Sequence, residues 1–319
     1  MLLTFIQDAR TKIRAVLASR PARGDEWLTE RNENIQTVLR VLDEFVNDVR
    51  NSGIILRFDQ AATGNVLARY TEGENTLHVR AVQTPDDLRV VLPNVLHEYT
   101  HAKQDRAAAA LLVAGRAPRE HTREAELQKE TEARLVDVYA TELLNRAKLA
   151  PRDPNVALNA ILGSVGFRVD FERMRTGSAA ERRAGAAGIR QRLAGPYAPQ
   201  LATNAPAIRY PIEITQSNRA TLFRRGARGA PEAVDLGPIP ATVTMRQDLI
   251  NHLAGALYRL PSFGALFTRP SGGSYVVAIF FAFFRDVNGR DQPVVEFNLG
   301  PPAAPAAAPA PAPAPAPHP

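Results

Sequence analysis

His97 and His101 close the run His97-Glu98-Tyr99-Thr100-His101. On a helix that spacing stacks two imidazoles one turn apart on the same face, where both can reach a single ion. Glu98 lies about 100° further round such a helix. It is clear of the ligand positions but close enough to take a proton from a water beside the ion. Residue types and spacing therefore point to metal-assisted hydrolysis, with His97 and His101 as ligands and Glu98 as general base. A pair of polar residues on a solvated helix face is the plainer reading. The apolar residues Val90, Val91, Leu92, Val95 and Leu96 just ahead of the motif argue against it, because they require a buried helix.

The chain has no cysteine, so any ion must be held by His, Asp or Glu. Zinc suits two histidines and one carboxylate with a fourth position open to water. Phasing the next helix assigns that carboxylate to Glu132, which shares a stripe with Leu135, Val136, Tyr139 and Leu143. A carboxylate on a core-facing stripe needs a partner or a metal. Glu130 points about 160° away from it, near Arg134 and Asp137, and reads as a surface charge. Glu126 and His121 are the remaining ligand candidates. His78 reads as an outward-facing strand residue, and His252 and His318 as structural or solvated.

These residues need a helix for the motif, a second helix for the carboxylate and a support beneath them. Apolar residues at helical spacing predict helices over residues 2–17 and 25–51, the second ended by Gly53. Three short strand-like segments follow at 54–59, 65–70 and 76–80 and predict a small sheet. Thr84-Pro85-Asp86-Asp87 carries a helix cap, a proline at the first helical position and a capping-box acid. It opens a helical region to Gly115 that Pro93 is expected to divide. A third long helix is expected over residues 119–149. Residues 155–204 read as further helices. Strands are expected at 208–215, 241–245, 275–284 and 293–299, with a helix at 245–258 and Asn288-Gly289 as a turn.

The expected class is α+β in five parts: N-terminal helices (1–52), a metal-binding domain (53–150), a helical extension (151–205), a β-rich module (206–300) and a Pro/Ala tail (301–319) that reads as extended and outside any core. The net charge of +6 comes largely from scattered arginines with no interleaved aromatics, so a nucleic-acid partner is not expected. No apolar run is long enough to span a membrane, and the opening residues lack a signal-peptide pattern, so a soluble protein is expected.

The motif, its sheet and the following helix resemble the gluzincin-type HExxH zinc metallopeptidases in their compact form, over residues 53–149, with Glu132-Ala133 in the place of the third ligand. The wording His97-Glu98-Tyr99-Thr100-His101-Ala102-Lys103-Gln104 is also similar to a zincin-like domain found with contractile injection systems and bacterial toxins. The resemblance implies a zincin-like fold, a zinc cofactor and a protein or peptide substrate. It also implies an oxyanion donor, Tyr139 or Arg134, and segment 76–80 as the strand on which extended substrate lies. It further implies either an exported or injected effector or, alternatively, a catalytically silent scaffold of an injection particle. Larger gluzincins carry an Asp four residues after the ligand Glu. Val136 stands there in this chain and Asp137 one step later, which leaves Asp105 or Asp137 to orient a ligand.

Overall fold

The computed structural model describes residues 1–18, 32–51, 53–59, 67–71, 75–116, 119–152, 165–195, 207–226, 230–260, 279–285 and 291–298. The expected start of the second helix, the Asn288-Gly289 turn and the Pro/Ala tail lie outside these residues. The described chain is a mixed α+β protein. It begins with helices α1 (Leu2–Ala18) and α2 (Asn32–Arg50), whose apolar faces meet through Ile6, Ile13, Val38, Leu42 and Phe45. A three-stranded sheet follows, made of β1 (Ile55–Asp59), β2 (Ala68–Thr71) and β3 (Thr76–Arg80). Its order is β1-β3-β2, with β3 parallel to β1 and antiparallel to β2.

Helix α3 (Pro85–Gly115) opens as its sequence requires. Asp87 Oδ2 accepts from the Thr84 backbone N at 2.8 Å, while the Asp87 N donates to Thr84 Oγ1 at 3.2 Å. Pro93 does not divide this helix, which runs unbroken for 31 residues. A proline inside a helix costs about 3 kcal/mol. Burial of Val91, Leu92, Val95 and Leu96 on either side of it offsets that cost. A short strand, β4 (Arg119–His121), leads into α4 (Arg123–Arg146), capped by Thr122, whose side chain accepts from the Ala125 N. The expected helix over 119–149 thus loses its first turn to a strand. Helices α5 (Val165–Thr176) and α6 (Ala179–Ala194) pack against α4 in the same core.

The C-terminal part forms a second sheet from β5 (Ala207–Ile214), β6 (Arg219–Arg225), β7 (Pro231–Pro238), β8 (Ile279–Arg285) and β9 (Asp291–Asn298), with helix α7 (Arg246–Tyr258) over a smaller core of its own. Two of these strands, β6 and β7, are missing from the sequence expectation, and the strand expected at 241–245 is irregular. Along β6, RATLFRR, charges crowd both ends and mask the alternation. The module is joined to the first core, because β4 pairs antiparallel with β5, Arg119 opposite Arg209.

One polar contact fixes α3 against α2. Tyr99 is 1 % exposed, and its hydroxyl donates to Asp48 Oδ2 at 2.5 Å, an oxygen that also receives Arg106 Nη2. Burial, and then the hydrogen bond to Asp48, push the Tyr99 phenol well above its usual pKa, so it remains a neutral donor. Tyr99→Phe is expected to lower unfolding free energy by about 1.5–3 kcal/mol, the range for a hydrogen bond to a charged group. Chemical denaturation reads this directly, and an unchanged midpoint would show that Arg106 alone holds Asp48.

Candidate metal centre

Helices α3 and α4 run antiparallel, which brings the motif opposite a ladder of charged residues on α4. The Nε2 atoms of His97 and His101 lie 3.1 Å apart. Glu130 Oε2 is 3.1 Å from His101 Nε2, and Glu130 Oε1 is 3.7 Å from His97 Nε2. One ligand atom from each of these three residues fits within 4.8 Å of the other two. The other ring nitrogens are also engaged. Asp137 Oδ2 sits 2.9 Å from His97 Nδ1, and Gln104 Oε1 sits 3.1 Å from His101 Nδ1. Arg134 binds the two acids together, with Nε on Glu130 Oε1 at 3.0 Å and Nη1 on Asp137 Oδ2 at 3.2 Å.

The third carboxylate beside the histidines is therefore Glu130, not Glu132. Glu132 is turned toward Gln104 and Gln128, which donate to its two oxygens at 2.8 and 2.7 Å. The phasing failed because α4 is buried around most of its circumference. Val136, Val138, Tyr139, Ala140 and Leu143 are all buried, so no single apolar stripe marks the side facing α3. The stripe that does face α3 is polar: Glu130, Arg134 and Asp137, at i, i+4 and i+7. An acid, a base and an acid at i, i+4 and i+7, on one face of the helix, was the available signal. Of the two acids expected to orient a ligand, Asp137, 0 % exposed, is the one beside a histidine, whereas Asp105 pairs with Lys129.

Tyr139 and the other candidates fall elsewhere. Tyr139 lines a cavity of about 400 Å³ among α2, α3 and α4, together with Val38, Val41, Leu135 and Val136. That cavity is not lined by Glu130, and of the two expected oxyanion donors Arg134 is the one that bonds the acids beside the histidines, Glu130 and Asp137. Glu126 pairs with Lys129, and His121 lies on β4. Glu98 Oε2 accepts from the backbone N of Tyr70 at 2.8 Å, which ties it to strand β2. This corrects the expectation for segment 76–80. It forms β3, the central strand, paired on both sides, whereas β2 is the edge strand that meets the motif.

The electrostatics fit a divalent cation. Burial alone would lower the His101 pKa, but the hydrogen bond and charge of Glu130 and the charge of Glu98 outweigh it and carry it up to about 9. Burial would raise Glu130, yet the charge of His97, the hydrogen bond of His101 and the charge of Arg134 hold it far below the usual carboxylate range. Three carboxylates, Glu98, Glu130 and Asp137, face one guanidinium, Arg134, which leaves a surplus of two negative charges once both imidazoles are neutral. The two Nε2 atoms, 3.1 Å apart, are bridged by a ring proton or by a cation in its place. Comparison with protein-family models, with curated proteins and with solved structures finds no match.

A proton on His101 competes with any metal. The raised pKa of His101 is a source of stability for the metal-free protein that is fully present below about 6.5, the usual His value, and is lost as pH rises through about 9. A metal held by His101 would displace that proton, so its apparent affinity should rise roughly tenfold per pH unit between about 6.5 and 9 and flatten above. A pH-independent affinity over that window, measured by chelator competition, would show that His101 is not a ligand.

Proposed function

We propose that this chain is a zinc-dependent peptide hydrolase whose ligands are His97, His101 and Glu130 and whose general base is Glu98. The observation that carries the reading is the convergence of both Nε2 atoms and the Glu130 carboxylate, with Glu98 next to it on the same helix. Zinc bound there would supply an acidified water and a Lewis acid for the scissile carbonyl. Gln104 holds the His101 imidazole by its far nitrogen, and Asp137 lies 2.9 Å from that of His97, so that both Nε2 atoms are turned toward Glu130. Glu98 stands between the ligand cluster and the edge of β2, where it can accept a proton from the attacking water and return it to the leaving amine. An extended peptide laid along β2 would pass the reacting atoms in the manner of an added strand. The likeness of the motif's wording to injection-associated zincin-like domains extends the proposal to an exported effector.

A silent scaffold is the second reading, and one contact favours it: the bond from Tyr70 N to Glu98 gives that carboxylate a structural duty as well. Metal analysis of the purified full chain after zinc reconstitution, followed by incubation with a denatured protein mixture read by mass spectrometry, tests the first reading. The expected result is about one zinc per chain and cleavage that a chelator stops and added zinc restores. Absence of zinc after reconstitution would remove the enzyme reading.

A further inference from the structure

Gln104 follows His101 by three residues on α3, and its amide orientation is determined by its neighbours. Its Nε2 lies 2.8 Å from Glu132 Oε2 and 3.1 Å from the backbone oxygen of Lys129. A carboxylate and a carbonyl only accept, so both must face the NH₂ end of the amide, and the flipped amide would set oxygen against two oxygens. The remaining oxygen of Glu132 is held by Gln128 Nε2 at 2.7 Å, so the acid that orients the amide is itself fixed. Gln104 Oε1 is left facing His101 Nδ1 at 3.1 Å. A carbonyl oxygen cannot donate, so the proton in that bond belongs to Nδ1. Nε2, the nitrogen that faces His97 and Glu130, is then the one whose proton a metal would replace, and its lone pair is offered once that proton leaves.

From this chain of contacts we infer that Gln104 is a positioning residue that fixes which nitrogen His101 offers to a metal, with Glu132 and the Lys129 carbonyl fixing Gln104 in turn. The inference rests on the metal-hydrolase reading. It also gives Glu132 a part in the site two contacts removed from His101. The two ligands are thus oriented by different chemistry: a carboxylate behind His97 and a neutral amide behind His101. An amide leaves the surplus negative charge of the site unchanged, where a second carboxylate would have added to it.

The test uses the full chain and zinc, with affinity read by competition against a chromophoric chelator. Gln104→Met keeps the volume but removes the acceptor, and is expected to weaken zinc by about 10–100-fold, the usual effect of losing a group that orients a ligand. The exchange Gln104→Glu with Glu132→Gln keeps an acceptor on His101 Nδ1 and a donor opposite it but loses the bond to the Lys129 carbonyl, and is expected to recover most, though not all, of the affinity that Gln104→Met loses. The melting temperature of the metal-free protein should be alike in all three. Wild-type affinity in Gln104→Met overturns the inference while leaving the metal centre intact. A loss that the exchange does not recover, accompanied by a lower melting temperature, also overturns it, since Gln104 would then be serving the fold. Wild-type protein that takes up no zinc overturns the metal reading itself, and this inference with it.

Discussion

Replacement of Glu130 by alanine is expected to remove zinc from the protein, with a loss of affinity beyond the roughly 10–100-fold that follows loss of a group supporting a ligand. Glu130 is the only carboxylate whose oxygens approach both Nε2 atoms, at 3.1 and 3.7 Å, among the described residues. Removing it leaves two neutral donors, and zinc sites require at least a third. Glu132→Ala is expected to cost far less, because the Lys129 carbonyl still orients Gln104. The comparison must be separated from misfolding, since Arg134 would lose one of its two acids and be left with Asp137. Glu130→Gln, which keeps the volume and an acceptor for Arg134, serves that purpose. It should fold like wild type and still bind zinc poorly, because a neutral amide is a weak ligand for this ion. Zinc analysis after dialysis decides the matter: retention in Glu130→Ala with loss in Glu132→Ala would mean that α4 rotates when metal enters.

The contrast between these two glutamates also marks how far the sequence could be read. The positions of His97, Glu98 and His101 follow from their spacing alone, because an α-helix admits one arrangement of i, i+1 and i+4. The small sheet before the motif and the capping box at Thr84 and Asp87 were legible for the same reason, being local. The third carboxylate was not local. Its choice depended on which face of α4 meets α3, and α4 presents buried residues to several neighbours at once. Apolar periodicity reports burial and not the identity of the neighbour, so it selected Glu132 for standing among Leu135, Val136 and Tyr139, which face the α2 side. The substrate strand failed in a related way, since 76–80 reads as a strand in sequence but strand order within a sheet is a tertiary property. Gln104 was within the motif's wording, yet its part depends on Glu132 and Lys129, some 25–28 residues further along the chain.

Conversion of Glu98 to glutamine is expected to abolish most hydrolysis while leaving zinc in place. Glu98 is not part of the converging set of ligand atoms, so zinc stoichiometry should match wild type. Its present contact can survive, because the glutamine carbonyl oxygen can accept from Tyr70 N as the carboxylate does at 2.8 Å. The strand β2 therefore keeps its tie to α3, and the melting temperature should change little. What the amide cannot do is take a proton, and general-base catalysis is worth roughly 10²–10⁴-fold in rate. A fall of at least about 10²-fold in cleavage of the same peptides, with equal zinc content, would assign the chemistry to Glu98. Equal zinc and equal cleavage would show that the base lies elsewhere. A protein in which neither wild type nor Glu98→Gln cleaves, with zinc bound in both, would favour the scaffold, and the bond from Tyr70 N to Glu98 would then be the reason that the glutamate is present.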